Sequence, residues 1–268
     1  MRIIRFVDKA GETRYGEDLG EGRAQPLEGD LFEGLESSGD PVDVDRLLAP
    51  LMPTNIFCIG LNYREHAEES NSPLPEDPIM FMKPTSTLLD PGEPILVPKC
   101  CNEHGEEVDY ECELAIVIGK PARDVSEADA LSYVLGYTAA NDVSARHWQS
   151  KRCGGQWVRG KGFDTFCPLG PVLVTADEIP DPNTLGIKTI LNGEVMQSHN
   201  TRDMIFNCAQ LVSFISKDTT VLPGTVILTG TPQGVGIARK PPVLLKDGDE
   251  VTIELEQIGS LTNPVKDA

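Results

Sequence analysis

The charged residues of this chain are sorted into stretches of one sign. Between Lys99 and Lys120 there is no lysine or arginine, yet Glu103, Glu106, Glu107, Asp109, Glu111 and Glu113 all fall there. Between Asp142 and Asp164 there is no acid, yet Arg146, Lys151, Arg152, Arg159 and Lys161 all fall there. The first stretch suits a cation and the second an anion. Glu111 and Glu113 enter the apolar run Cys112–Ile118, and on a strand they share a face about 7 Å apart. Two carboxylates so placed repel each other unless a cation lies between them, and oxygen ligands suit a hard ion such as Mg²⁺, Mn²⁺ or Ca²⁺. Asp142 closes the apolar segment Tyr137–Asn141 and offers a third oxygen. Each feature has a plainer reading. Asp109, Glu111 and Glu113 could form the solvent face of an edge strand, and Asp142 could cap the segment Ser144–Ser150.

His66 lies in Asn62–Ser70, read as a short helix after a strand over Ile56–Gly60. At i and i+3 on one helix face, Glu69 can orient the imidazole as a general base. The plainer reading is a surface histidine among acids. Gly230-Thr231-Pro232-Gln233-Gly234-Val235-Gly236 follows a strand, but two prolines fall within Ile237–Pro242, so no phosphate-binding helix is expected. Close access of a small substrate to backbone amides is the reading taken. Cys100, Cys101 and His104 lack a second ligand pair and read as a loop with incidental thiols. No nucleophile elbow, zinc-protease helix or Walker sequence occurs.

These residues need a scaffold, and 268 residues with 40% apolar side chains can bury a sizeable core. The net charge of −19 argues against nucleic acid and anionic membrane surfaces. The start, Met1–Glu12, has no apolar run of signal-peptide length, and no later run approaches membrane-span length. Seven cysteines without framework spacing indicate reduced thiols and a cytoplasmic setting. Residues 1–50 read as a small β-rich unit, with strands over Met1–Asp8 and Thr13–Tyr15 and a connector at Asp45–Leu48 before residues 51–268. In that larger part, strands are expected over Val108–Ile118, Val134–Ala140, Val226–Leu228 and Val251–Leu255. A hairpin is expected at Asn192-Gly193, and helices over Ser126–Ser132 and Asp203–Ile215. Strands outnumber helices without βαβ alternation, which points to a mixed, β-rich α+β fold.

Six segments occur in an order that strongly resembles the fumarylacetoacetate hydrolase superfamily. They are Gly60-Leu61-Asn62-Tyr63 with His66, Tyr110–Leu114, Asn141–Arg146, Lys161–Asp164, Asn192-Gly193 and Thr229–Gly236. Together they cover about residues 54 to 265, and the small N-terminal unit is similar to the bacterial 2-oxo-acid branch and to acylpyruvase and oxaloacetate enzymes. The resemblance implies a β-roll catalytic domain that usually dimerises, here as a homodimer. It implies Mg²⁺, or alternatively Mn²⁺ or Ca²⁺, on Glu111, Glu113 and Asp142, with His66 and Glu69 as a dyad on a lid. Lys161, Arg146, Gln149 and Thr231 then match positions that hold substrate oxygens, whereas Lys151, Arg152 and Arg159 have no match and read as surface charges. The activity expected first is C–C hydrolysis or decarboxylation of a 2-oxo acid, such as an acylpyruvate, fumarylpyruvate or oxaloacetate, through an enolate. Isomerisation or tautomerisation of 2-hydroxyhepta-2,4-diene-1,7-dioate or oxaloacetate is second, and a metal-binding relative without catalysis is third.

Overall fold

The computed structural model describes residues 1–101, 103, 105, 107–150 and 153–268. His104, Glu106, Lys151 and Arg152 lie outside the described residues. The architecture is the mixed, strand-dominated α+β fold expected. Its larger sheet runs in the spatial order Thr13–Gly20, Arg23–Asp30, Val42–Leu48, Arg2–Asp8, Cys167–Thr175, Val134–Asn141, Cys112–Ile118, Val226–Leu228, Ile56–Gly60 and Ile79–Lys83. The strands of the first fifty residues join it through Arg2–Asp8, which pairs antiparallel with Cys167–Thr175. A second sheet orders Glu194–Asn200, Gly186–Leu191, Glu250–Leu255, Gly259–Asp267 and Ile95–Val97. Among the described residues no helix is long and apolar enough to cross a membrane.

The sheet's middle and its edge differ as their sequences demand. Every residue of Cys112–Ile118 is buried, because this strand is paired on both sides, with Val134–Asn141 and Val226–Leu228. Ile79–Lys83 ends the sheet, so Phe81 and Lys83 turn inward while Ile79, Met80 and Met82 are exposed. The Asn192-Gly193 turn forms as expected, with both residues at positive φ (51° and 83°), which matches the twist of the strands it joins.

Several expected elements differ. Asp45–Leu48 is no connector: it is the end of the strand Val42–Leu48, which pairs with Arg2–Asp8. The helix placed over Asp203–Ile215 begins only at Cys208, where Asn207 and Gln210 form a reciprocal capping box. Ser126 accepts from the Asp129 amide, yet the helical turn that follows is Ala130–Tyr133. The strand over Val108–Ile118 is interrupted at Tyr110 and Glu111. Val108–Asp109 pairs with Ser144–Ala145, and Cys112 pairs with Asn141. Between them the Glu111 amide donates to the Asn141 side chain at 3.0 Å in place of a ladder carbonyl. The interruption displaces Glu111 from the regular pleat and sets the geometry of the site.

Candidate metal centre and active site

Glu111, Glu113 and Asp142 each offer a carboxylate oxygen, and these oxygens lie within 4.8 Å of one another. The solvent-face reading fails, because Asp109, Glu111 and Glu113 are 0%, 6% and 1% exposed. The capping reading of Asp142 fails as well, since Ala145 occupies the N-cap of the helix α2 (Arg146–Gln149). Three buried carboxylates this close are stable only if positive charge meets them. Lys161, at the end of helix α3 (Trp157–Lys161), donates to Glu111 at 2.8 Å and to Asp142 at 2.6 Å. From the other side of Asp142, the fully buried Lys83 ammonium sits 2.6 Å from the second carboxylate oxygen.

The charges do not balance. Asp109, Glu111, Glu113 and Asp142 face Lys83, Arg146 and Lys161, so one negative charge is in excess. Glu113 carries it: it has no ion-pair partner among the described residues and accepts only the Gly230 amide, at 2.5 Å. Burial, with repulsion from Asp142 and Glu111, pushes its carboxyl well above the ordinary glutamate range. Glu111 goes the other way. Burial opposes its charged form, but Lys161 and Arg146 outweigh that and hold it at about 2. Burial also opposes the Lys161 ammonium, yet Asp142 and Glu111 raise it above the usual lysine range. An all-oxygen donor set with one uncompensated carboxylate fits a hard divalent cation.

Helix α1 (Arg64–Glu69) brings the second part of the site. His66 Nδ1 lies 3.1 Å from Glu69 Oε2, as the i, i+3 spacing requires. The Gly234 amide donates to the other Glu69 oxygen at 2.9 Å. Burial would raise the Glu69 carboxyl, but His66 and that amide together lower it. The glycine-rich loop has a role not expected from the sequence. Three of its amides and the one that follows it serve protein carboxylates: Gly230 to Glu113, Gly234 to Glu69, and Gly236 and Ile237 to Asp109. Gly236 leaves no room for a side chain, since a Cβ there would lie 2.0 Å from the Val243 carbonyl.

His66, Glu111, Arg146, Gln149, Lys161 and Thr231 all line one cavity of about 690 Å³, closed on other sides by apolar groups that include Phe81 and Trp157. Glu113 and Asp142 join it through Glu111, and Glu69 joins it through His66. The fold therefore assembles all nine residues singled out in the sequence. Arg146 is more committed than a substrate ligand needs to be. It donates to Asp109 through Nε at 2.8 Å and, through Nη1, to Glu111 at 2.7 Å and Gln149 at 3.0 Å. Arg159 is exposed and lies over the Trp148 and Phe163 rings. Sequence reasoning missed Lys83 and misread Asp109. Lys83 could have been found as the one base ending an otherwise apolar strand, at an inward position of the alternation.

The family model for the fumarylacetoacetate (FAA) hydrolase C-terminal region matches residues 55–266. The chain is 52% identical over 220 residues to a mitochondrial oxaloacetate tautomerase of Xenopus laevis, covering 82% of this chain and 68% of that protein. The solved 5-carboxymethyl-2-hydroxymuconate delta-isomerase of Mycobacterium smegmatis superposes with a TM-score of 0.87 at 39% identity, over the whole of both chains. The maleylpyruvate hydrolase of Sphingobium sp. SYK-6, solved with manganese(II) and pyruvate, superposes at 0.79 and 29% identity, again over both whole chains.

Proposed function

Because the chain belongs to the fumarylacetoacetate hydrolase family and is an enzyme of it, we propose that it catalyses keto–enol tautomerisation of a small 2-oxo dicarboxylic acid of the oxaloacetate kind, with a divalent cation on Glu111, Glu113 and Asp142. This reorders the expected activities and puts hydrolysis and decarboxylation second. The observation that carries it is the single cavity uniting a proton-handling dyad, a charged lysine and a buried acidic trio. The 52% identity to an oxaloacetate tautomerase supports the substrate class. A bound ion would act as a Lewis acid on the substrate's oxygens. The chain's own groups do the rest. With Nδ1 turned to Glu69, His66 presents Nε2 to the cavity, where it can take the proton from C3 and deliver it to the enolate oxygen, or carry it back the other way. The Glu69 carboxylate stabilises the imidazolium formed in between. Lys161, held charged by its carboxylates, donates a hydrogen bond where oxygen gains negative charge.

No attacking water is needed for that proton transfer, so the site need not cleave a carbon–carbon bond. Hydrolysis remains the second reading, supported by the likeness to maleylpyruvate hydrolase. The test follows three rates in parallel, with Mg²⁺, Mn²⁺ or EDTA: loss of enol-oxaloacetate absorbance, pyruvate release from oxaloacetate, and fumarylpyruvate cleavage. Tautomerisation should exceed the other two by at least tenfold and stop in EDTA. Cleavage as the fastest reaction would refute the assignment. The exposed apolar residues of the sheet's edge strand, Ile79, Met80 and Met82, support the homodimer expectation, because an unpaired apolar edge invites a second chain. Light scattering should give twice the chain mass of 29.1 kDa.

A further inference from the structure

Lys83 is the least expected residue of the site, a lysine 1% exposed on an edge strand. Burying an ammonium costs several kcal/mol unless acceptors and a counter-charge meet it, and here both do. Its Nζ donates to the Val143 carbonyl at 3.1 Å and to the Lys161 carbonyl at 2.6 Å, and it forms an ion pair with Asp142 Oδ1 at 2.6 Å. These partners belong to the pieces of chain that carry Asp142, one of the acidic trio, and the charged lysine of the cavity. The strand bearing Lys83 also supplies Ile79 and Phe81 to the cavity wall. If folding alone were served, an apolar side chain of similar size would do as well, since buried ion pairs seldom outperform one.

We propose that Lys83 is a positioning residue for this reaction. It fixes the Asp142 carboxylate from the side opposite Lys161, and through the Lys161 carbonyl it fixes the end of α3, so that the cation ligand and the charged lysine keep one mutual geometry. Its ammonium acts through these two residues and does not line the cavity. The proposal rests on the cation and tautomerase readings given above, and the tests below separate it from them. Partners that orient a metal ligand from behind typically change affinity or activity by about 10–100-fold when lost.

The experiment compares wild type, Lys83→Met and Lys83→Arg for melting temperature, Mn²⁺ affinity by calorimetry, and kcat and KM with enol-oxaloacetate. In Lys83→Met, Mn²⁺ binding and kcat should each fall by about 10–100-fold, with KM changed less than threefold. Added to Lys161→Met, the same substitution should lower kcat by a clearly smaller factor than it does alone, because part of its effect passes through Lys161 and the rest through Asp142. Lys83→Arg keeps the charge but cannot match all three partners. It should keep Mn²⁺ affinity within about threefold of wild type while kcat falls at least fivefold. A lower melting temperature with unchanged Mn²⁺ affinity and kcat overturns the proposal, as do fully independent losses in the double variant. Failure of both single variants to fold assigns Lys83 to the fold alone and overturns it too. Wild-type protein that binds no Mn²⁺ counts against the cation reading, and kcat then decides the role of Lys83. Wild-type protein inactive on oxaloacetate counts against the substrate reading, and Mn²⁺ affinity then decides it.

Discussion

Glu113→Gln should make the metal-free protein more stable, although it alters a buried residue of the site. Glu113 is the carboxylate without a cation, and burial with repulsion from Asp142 and Glu111 raises its carboxyl well above the ordinary 4.5. The folded protein therefore keeps a proton that the unfolded chain has released. Its stability is greatest below the unfolded value and falls as pH rises through the window between the two. Each pH unit of that window costs about 1.4 kcal/mol. Glutamine is neutral at every pH, has nearly the same shape, and still accepts the Gly230 amide. At pH 7 in EDTA the variant should gain on the order of 1–3 kcal/mol. In a chain of this size each kcal/mol is about 2–4 °C of melting temperature. At pH 4 the gain should vanish. Mn²⁺ should then reverse the order. A cation at 1,000 times its dissociation constant stabilises wild type by about 4.1 kcal/mol, and the variant, short of one charged ligand, should gain little. Scanning calorimetry at both pH values, with EDTA and with Mn²⁺, reads all four cases. A variant less stable than wild type in EDTA at pH 7, or equally stabilised by Mn²⁺, would mean that Glu113 is not the uncompensated carboxylate of the site.

Replacing His66 by alanine should slow tautomerisation by roughly 10²–10⁴ while leaving Mn²⁺ affinity within twofold, since His66 is not a proposed ligand; a parallel loss of affinity would contradict that separation. The Glu69 carboxyl is lowered from 4.5, so its part in the rate should persist as pH falls to 4.5 and be lost only below it. A pH–rate profile of wild type against Glu69→Gln checks this: the ratio of the two rates should stay constant from pH 8 to pH 5. Asp109→Asn removes the charge that Arg146 Nε and the Gly236 and Ile237 amides share, and should cost about 3–5 kcal/mol by denaturant titration. A loss under 1 kcal/mol would mean that Glu111 alone suffices to hold Arg146. Gly60→Ala would place a Cβ 2.2 Å from the Trp157 ring and should disturb α3, lowering kcat about tenfold more than it raises KM. Unchanged kinetics would show that the indole moves aside freely.

Local patterns in the sequence foretold much of this structure because local physics controls them. The Asn192-Gly193 turn needs two residues tolerant of positive φ, and the Cys112–Ile118 run needs a partner on each side. The site was legible because like charges collected in one stretch demand compensation, whether as solvent, cation or buried ion pairs. What escaped depends on contacts distant in sequence. The break at Tyr110 and Glu111 exists because the Asn141 side chain replaces a backbone acceptor. Residues 203–207 fail to extend the helix because the Asn62 side chain and the Asn200–Asp203 turn engage that backbone instead. Nothing near Lys83 in the sequence reveals that its partners are Asp142, Val143 and Lys161. The carboxylate partners of the glycine-rich loop were hidden for the same reason, since they come from three other segments.

On the reading proposed above, Glu111, Glu113 and Asp142 together hold one divalent cation in the cavity that contains His66 and Lys161. An anomalous difference map from crystals soaked in Mn²⁺ tests it most directly. A single strong peak is expected among the three carboxylates, with Lys161 Nζ moved away from its 2.6–2.8 Å contacts with Asp142 and Glu111. A map with no peak there, and Lys161 still bridging those two carboxylates at saturating Mn²⁺, would contradict it.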